Sequence, residues 1–373
     1  WSSRRVLFRS NSLAATQVAA LTTAQMAALE TADAAAINLA GVRVLSSAQL
    51  NALSTDATAA LTTAQVAALG TQQVAALDTD HVVALTSTQV GALSVTQVGA
   101  ITAAQAAVLD TADLHVLSTN AVRALSTAAV AALATEGVAA LSSAQVGALG
   151  SGQVAALTTE QIAAIETADV AAVATAGLRA LSTDQLNALT TGAMAALSTA
   201  QVVALSSGQV AGLSTDNLTA LTTQHYGVLT TGQVGAISST QSAVLETADL
   251  AALTTASMRN MATGSVAALT TAQVTALTTA QAAGLATAQA AALTTEQVAA
   301  LETRDLQALG TGNVRALSST QLNALGSDQV AALATTQVAA LATAQVAALA
   351  TEVSSSLTSA QLNALTSAQV AAV

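Results

Sequence analysis

The chain has 373 residues, of which 53% are hydrophobic but only 1% aromatic, with no Pro, no Cys and a formal net charge of −11. Lack of Cys excludes disulfides and thiolate–metal chemistry, and an acidic chain without a single Lys disfavours nucleic acid and anionic membranes as partners. Mean hydropathy is positive, yet Thr, Ser and Gln interrupt every stretch and no run of about 18 apolar residues occurs, so no membrane span is predicted.

The first segment, residues 1–12, carries Arg4, Arg5 and Arg9 beside Val6, Leu7 and Phe8. It lacks an initiator Met and the apolar stretch of a signal peptide. It reads as a non-repeat N-terminal segment, either a terminal cap or a remnant of upstream sequence.

From Leu13 to Val373 the chain repeats every eight residues without insertion or deletion, giving 45 octads built on L-T-T-A-Q-V-A-A. No linker or charge block divides them, so residues 13–373 read as one continuous domain. A fixed short period of this kind marks a stacked, one-dimensional fold. A single long helix is excluded, because one octad is not a whole number of helical turns and the large residue would spiral steadily around the surface from each octad to the next. A strand is excluded too, since alternation would place Leu61 on the same face as Thr63, Gln65 and position 7, where most of the Arg residues fall.

Short helices fit both start signals in one frame. In the octad Leu61–Ala68, Thr62 and Gln65 form a capping box, and Leu61 and Val66 stand where a hydrophobic staple requires them. Each helix is predicted to run for about six residues, too short to be stable alone, so stability must come from stacking. Positions 1, 6 and 8 are predicted to face the core and positions 4 and 7 water. Position 3 is Thr or Ser in all but four octads, and its hydroxyl is expected to bond an end carbonyl of a neighbouring octad. The resulting fold class is all-α: a solenoid of very short capped helices, one octad each. Its hand is open, with two to four octads per turn, and it forms an elongated rod of roughly 120–150 Å at usual helix spacings.

A charged cassette recurs five times along the array: Glu30/Asp33 with Arg43, Asp110/Asp113 with Arg123, Glu166/Asp169 with Arg179, Glu246/Asp249 with Arg259, and Glu302/Asp305 with Arg315. Successive copies stand ten, seven, ten and seven octads apart, which makes a super-repeat of seventeen octads. About 3.4 octads per turn would bring all five cassettes onto one face. The acids sit at the cap and in the first turn, where negative charge suits a helix N-terminus. Capping plus a salt bridge to the Arg of the next octad is therefore expected. No EF-hand or glycine-rich nonapeptide calcium pattern is present, so no metal site is assigned.

His81 and His225 replace Gln at position 5 and His115 lies at position 7, each in a separate octad without a partner of matching spacing. They read as surface or capping residues, and no catalytic, cofactor-binding or metal-binding residue is assigned. Tyr226 is expected to be an aromatic staple with Gly227 relieving crowding. Ser242 and Ser354 stand in the staple position, and the octad 349–356 is the clearest break in the pattern.

The octad resembles the L-T-T-x-Q-V-A-A tracts of very large exported proteobacterial proteins of the adhesion or haem-utilisation type, over Leu13 to Val373. That resemblance implies a secreted or cell-surface location; no haem-ligand pattern accompanies it. Residues 61–68 are also similar to the L-T-P-E-Q-V-V-A-I helix start of transcription-activator-like effector repeats, without their longer period or DNA-reading pair. The functional expectation is a structural spacer or fibre segment with no enzymatic activity and no cofactor. Its expected partners are copies of itself or neighbouring modules of a larger protein, and both a homo-oligomer and a filament are compatible with it. The alternative is an ice- or crystal-surface-binding repeat presenting rows of Thr.

Overall fold

The computed structural model describes Leu13 to Ala372; the N-terminal segment 1–12 and Val373 lie outside the described residues. Among the described residues there are 45 α-helices, α1 (Ala15–Ala19) to α45 (Ser367–Val370), each four to six residues long, and no strand.

The local logic is visible in α7 (Thr63–Ala68). Thr62 has extended dihedrals, and its hydroxyl accepts the Gln65 N–H at 3.2 Å while Gln65 Oε1 accepts the Thr62 N–H at 2.7 Å. The cap thus falls at position 2, as the staple requires. Where that residue is Gly or Ala, as at Gly70, only the return bond from Gln survives. Each cap hydroxyl contributes about 0.5–2 kcal/mol. The helix ends when Leu69 swings to φ −59°, ψ 141°, which carries its side chain into the core and delivers the next extended cap residue. Two extended residues suffice for the turn, so neither Pro nor a positive φ is needed, and no described residue has one.

Stacking supplies what propensity cannot. Within each of the two units described below, helices pack on the helix three octads further along, so that in the first α1, α4 (Leu39–Val44), α7, α10 (Ser87–Gly91) and α13 (Thr111–Val116) form one column. Position-5 side chains reach both 28 and 31 residues back, so a turn takes a little over three octads. Leu at position 1 and Val at position 6 are nearly fully buried along most of the array, for example Leu141 and Val146, while position 6 opens to solvent toward its C-terminal end, as at Leu362 and Val370. Each buried Leu or Val contributes roughly 1.5–3 kcal/mol. Position 8 does not join them: Ala68, Ala76 and Ala84 are only half-buried. The third buried position is 5, the Gln, because it lies one residue from Val on the inward stripe and its amide finds partners there.

The array divides into two compact units, Trp1–Leu189 and Thr190–Val373. In each, the octad phase and the three-octad stacking are kept. The first holds three cassettes and the second two.

Candidate functional site

The most regular polar feature is a ladder made by position 5. Gln65 Nε2 donates to Ala34 O at 2.9 Å and Ile37 O at 2.7 Å, carbonyls at the C-terminal end of α3 (Thr31–Ala36). Its Oε1 accepts the Thr62 N–H at 2.7 Å and the Thr62 hydroxyl at 3.0 Å. All four hydrogen-bonding capacities of the amide are used. The same backward bonds recur at Gln97, Gln145, Gln281 and Gln361. A capping box alone accepts Glu as readily as Gln. A ladder that must also donate to buried carbonyls does not, and Glu occupies position 5 in none of the 45 octads. That omission was the available sequence signal.

The neutral polar substitutes at position 5 keep the donor. Asn313 Nδ2, Ser257 Oγ and Ser265 Oγ each donate to the carbonyl 28 residues earlier, at 2.9, 3.0 and 2.7 Å. The two histidines do likewise and are buried, so of the surface and capping readings the capping one applies. His225 Nδ1 accepts the Thr222 N–H at 3.1 Å, which leaves Nε2–H to donate to Leu197 O at 2.7 Å. Those partners define a neutral ring. His81 differs: its Nδ1 meets the Asp78 carboxylate and its Nε2 lies 2.8 Å from Leu53 O. Burial raises the Asp78 carboxyl, but the His81 hydrogen bonds and charge outweigh it and hold the group below the ordinary aspartate value.

The cassettes correct the sequence reading in two respects. Only Asp110 caps through its side chain, accepting the Asp113 N–H at 2.8 Å; Glu30, Glu166, Glu246 and Glu302 stand at the cap position without a side-chain cap bond. The extra methylene of Glu spoils the short cap geometry that Asp, Ser and Thr share. The expected salt bridge is also missing for four of the cassette arginines. Arg43, Arg123, Arg259 and Arg315 point into solvent and, among the described residues, pair with no acid. Position 7 faces outward while the cassette Asp, at position 5, faces in: Asp33, Asp113, Asp169, Asp249 and Asp305 are all buried. Arg304 does contact Glu302 at 2.6 Å and Asp305 at 3.8 Å, an exposed arrangement of little energetic weight.

What holds the buried Asp is a hydroxyl from position 3 one turn earlier. Ser143 bonds Asp169, and Thr223 and Thr279 donate to Asp249 and Asp305, each at 2.7 Å. Position 3 was expected to bond an end carbonyl. Those carbonyls belong to the Gln ladder instead, so position 3 serves side chains at position 5 or points to water. Position 7 adds a second set of bonds that the sequence did not announce: Asn51, Gln307 and Asn323 donate to the position-8 carbonyl 25 residues ahead at 2.7–2.9 Å.

Tyr226 is fully buried, and its hydroxyl donates to Leu218 O at 2.8 Å. Leu218 stands to Asp249 as Val66 stands to Gln97, so its carbonyl is one to which a Gln in place of Asp249 would have donated. The phenol thus completes the ladder where Asp is too short, and burial pushes its ionisation far up. Gly227 does not relieve crowding, since a Cβ there would meet Ala252 O at an ordinary 3.7 Å. Ser242 is accommodated by donating to Ser239 O and Ser265 O at 3.0 and 2.9 Å. The octad 349–356 still forms its helix, with Val353 taking the inward place and Ser354 half-buried.

No catalytic constellation gathers around these groups. One internal void of about 20 Å³, lined by residues such as Val66, Leu69 and Leu77, has room for one water at most. A surface depression of about 400 Å³ is bordered by Ser87, Thr111, His115 and Val116. There His115 makes no side-chain hydrogen bond to Ser87 or Thr111. Among the described residues no group of three or more His, Asp or Glu could hold a metal, and no helix is long and apolar enough to cross a membrane.

The fold and its ladder define a helical repeat protein in which every octad is one structural unit. The ALTTAQ repeat family matches in eight stretches, residues 26–63, 59–87, 106–143, 130–159, 162–199, 191–223, 242–279 and 298–335. These cover well over half of the chain, which therefore belongs to the ALTTAQ repeat family. No curated protein matches it.

Proposed function

We propose that this structural repeat is a spacer or fibre segment of an exported, cell-surface protein of the adhesin type, and that it performs no catalysis. The supporting observation is the equivalence of the octads: cap, Leu–Val pair and backward amide bond recur with the same partners turn after turn. An enzyme needs unlike groups converging at one place, whereas a spacer needs units that can be added or removed. Its partners are neighbouring modules of the parent protein or further copies of the chain.

Removing residues 85–108, three whole octads, should leave the helical circular dichroism per residue unchanged and reduce the maximum dimension measured by small-angle X-ray scattering. Removing 93–96 should lower local stability, because it puts Leu at a surface phase. Collapse of folding after the three-octad deletion, or turnover of a small molecule dependent on a single His or acid, would defeat the proposal. Thermal hysteresis in the purified protein would favour ice binding instead, with the exposed position-3 hydroxyls as the contact rows.

A further inference from the structure

Position 5 is a donor site wherever its side chain is polar and uncharged; in eight octads it is Gly, Ala or Val and has no donor. Gln, His, Asn and Ser there all direct a proton at the carbonyl 28 residues earlier. An ionised Asp cannot. Asp113 and Asp249, equivalent across the seventeen-octad super-repeat, are the clearest case, and no described donor reaches the matching carbonyls, Leu85 O and Leu221 O. At Asp249 one carboxyl oxygen accepts the Thr223 hydroxyl from one turn earlier. The side chains are 5% and 3% exposed, so both carboxyls are largely withdrawn from solvent.

We propose that Asp113 and Asp249 are carried as neutral carboxylic acids whose Oδ–H is donated to Leu85 O and Leu221 O, making these cassettes joints that tighten in acid and loosen in base. The surroundings favour the neutral form. Around Asp113 the ionisable groups are Asp110 and His115 on its own helix and Glu136 on α16 (Thr135–Ala139), while α10 brings none. Around Asp249 they are Glu246 on its own helix α30 (Thr247–Ala252) and His225 and Tyr226 on α27 (Thr223–Val228), while α33 (Thr271–Thr275) brings none. Among these, no Arg faces either carboxyl. Burial raises both groups above the ordinary aspartate value, with the Asp110 charge adding to it at Asp113 and the Glu246 charge at Asp249.

The sign follows from linkage. A carboxyl raised in the folded state binds its proton more tightly folded than unfolded, so its contribution is fully present below the unfolded value of about 3.9 and declines as pH rises through the folded value. General repulsion in an acidic chain has the same sign, so the test must separate them. The melting temperature of the full chain should be followed from pH 4 to pH 8 beside the double variant Asp113→Asn/Asp249→Asn and a control removing two exposed charges, Asp184→Asn/Asp216→Asn. The Asn pair, which supplies the missing donor, should melt about 2–4 °C higher than the parent at pH 8 and converge with it near pH 4. The control should not reproduce that convergence. Carboxyl ¹³C resonances give a readout independent of the variants, with two aspartates titrating above the rest. An Asn pair less stable than the parent at pH 8, an effect matched by the control, or all aspartate resonances titrating near or below the ordinary value would overturn the proposal.

Discussion

Replacing Gln65 by Glu changes one NH2 to one oxygen and tests the ladder directly. The Oε1 arm can persist, since it only accepts from the Thr62 N–H and hydroxyl at 2.7 and 3.0 Å. The other arm reverses: a carboxylate oxygen now faces Ala34 O and Ile37 O, which the amide had bound at 2.9 and 2.7 Å. Losing two donors to buried acceptors costs about 1–3 kcal/mol for each carbonyl left unpaired. Gln65→Ala should therefore lose about 3–5 kcal/mol of local stability once the cap bond is included. Gln65→Glu should lose at least as much at pH 8, where the carboxyl is charged, and recover part of it toward pH 4, where a proton restores one donor. Native-state hydrogen exchange of the amides in residues 63–69, read for both variants at the two pH values, measures this. A Glu variant as well protected as the parent at pH 8 would refute the reasoning.

Further outcomes follow from other sites. The Asp78–His81 pair should contribute stability above the unfolded aspartate value and lose it as pH falls through the lowered folded value of Asp78; the melting difference between the parent and Asp78→Thr/His81→Gln, scanned from pH 2 to 6, should shrink toward the acid end. Gly232 has open space where a Cβ would go, so Gly232→Ala should stabilise its helix by about 0.4–1 kcal/mol. Gly147→Ala would set a methyl 3.0 Å from the Ala172 carbonyl oxygen and should cost about 1–3 kcal/mol; denaturant melts of the two variants moving in the same direction would contradict the packing described.

The helix starts were legible because cap and staple are local devices, fixed by Thr62, Gln65, Leu61 and Val66 within a single octad. The inward turn of Gln was hidden by that same success: Thr-x-x-Gln is explained by capping, which leaves no motive to bury the amide. Burial of Asp33 and its equivalents was illegible for a related reason. A charged residue in the first turn has a sufficient surface explanation, and the hydroxyl that holds it lies 26 residues away in sequence. His81 and His225 show the converse, since their replacement of Gln at one position was visible, and only the neighbouring turn revealed that they copy its bonds.

The ladder also has a direction. From Gln49 onward the position-5 amides reach toward the N-terminus, as Gln65 and Gln361 do to carbonyls 28 and 31 residues behind them. An octad entering the array thus finds the acceptors of its ladder amide on helices already in place; only the scattered forward bonds, such as those of Asn51 and Thr223, wait for sequence still to come. Contacts of such short range close cheaply and quickly. A chain emerging N-terminus first can accrete vectorially, one octad at a time, with a growing front only about four octads deep. Assembly in the opposite order would leave each new amide pointing at absent neighbours, so the polarity of one side chain sets the order in which the whole array is most easily built.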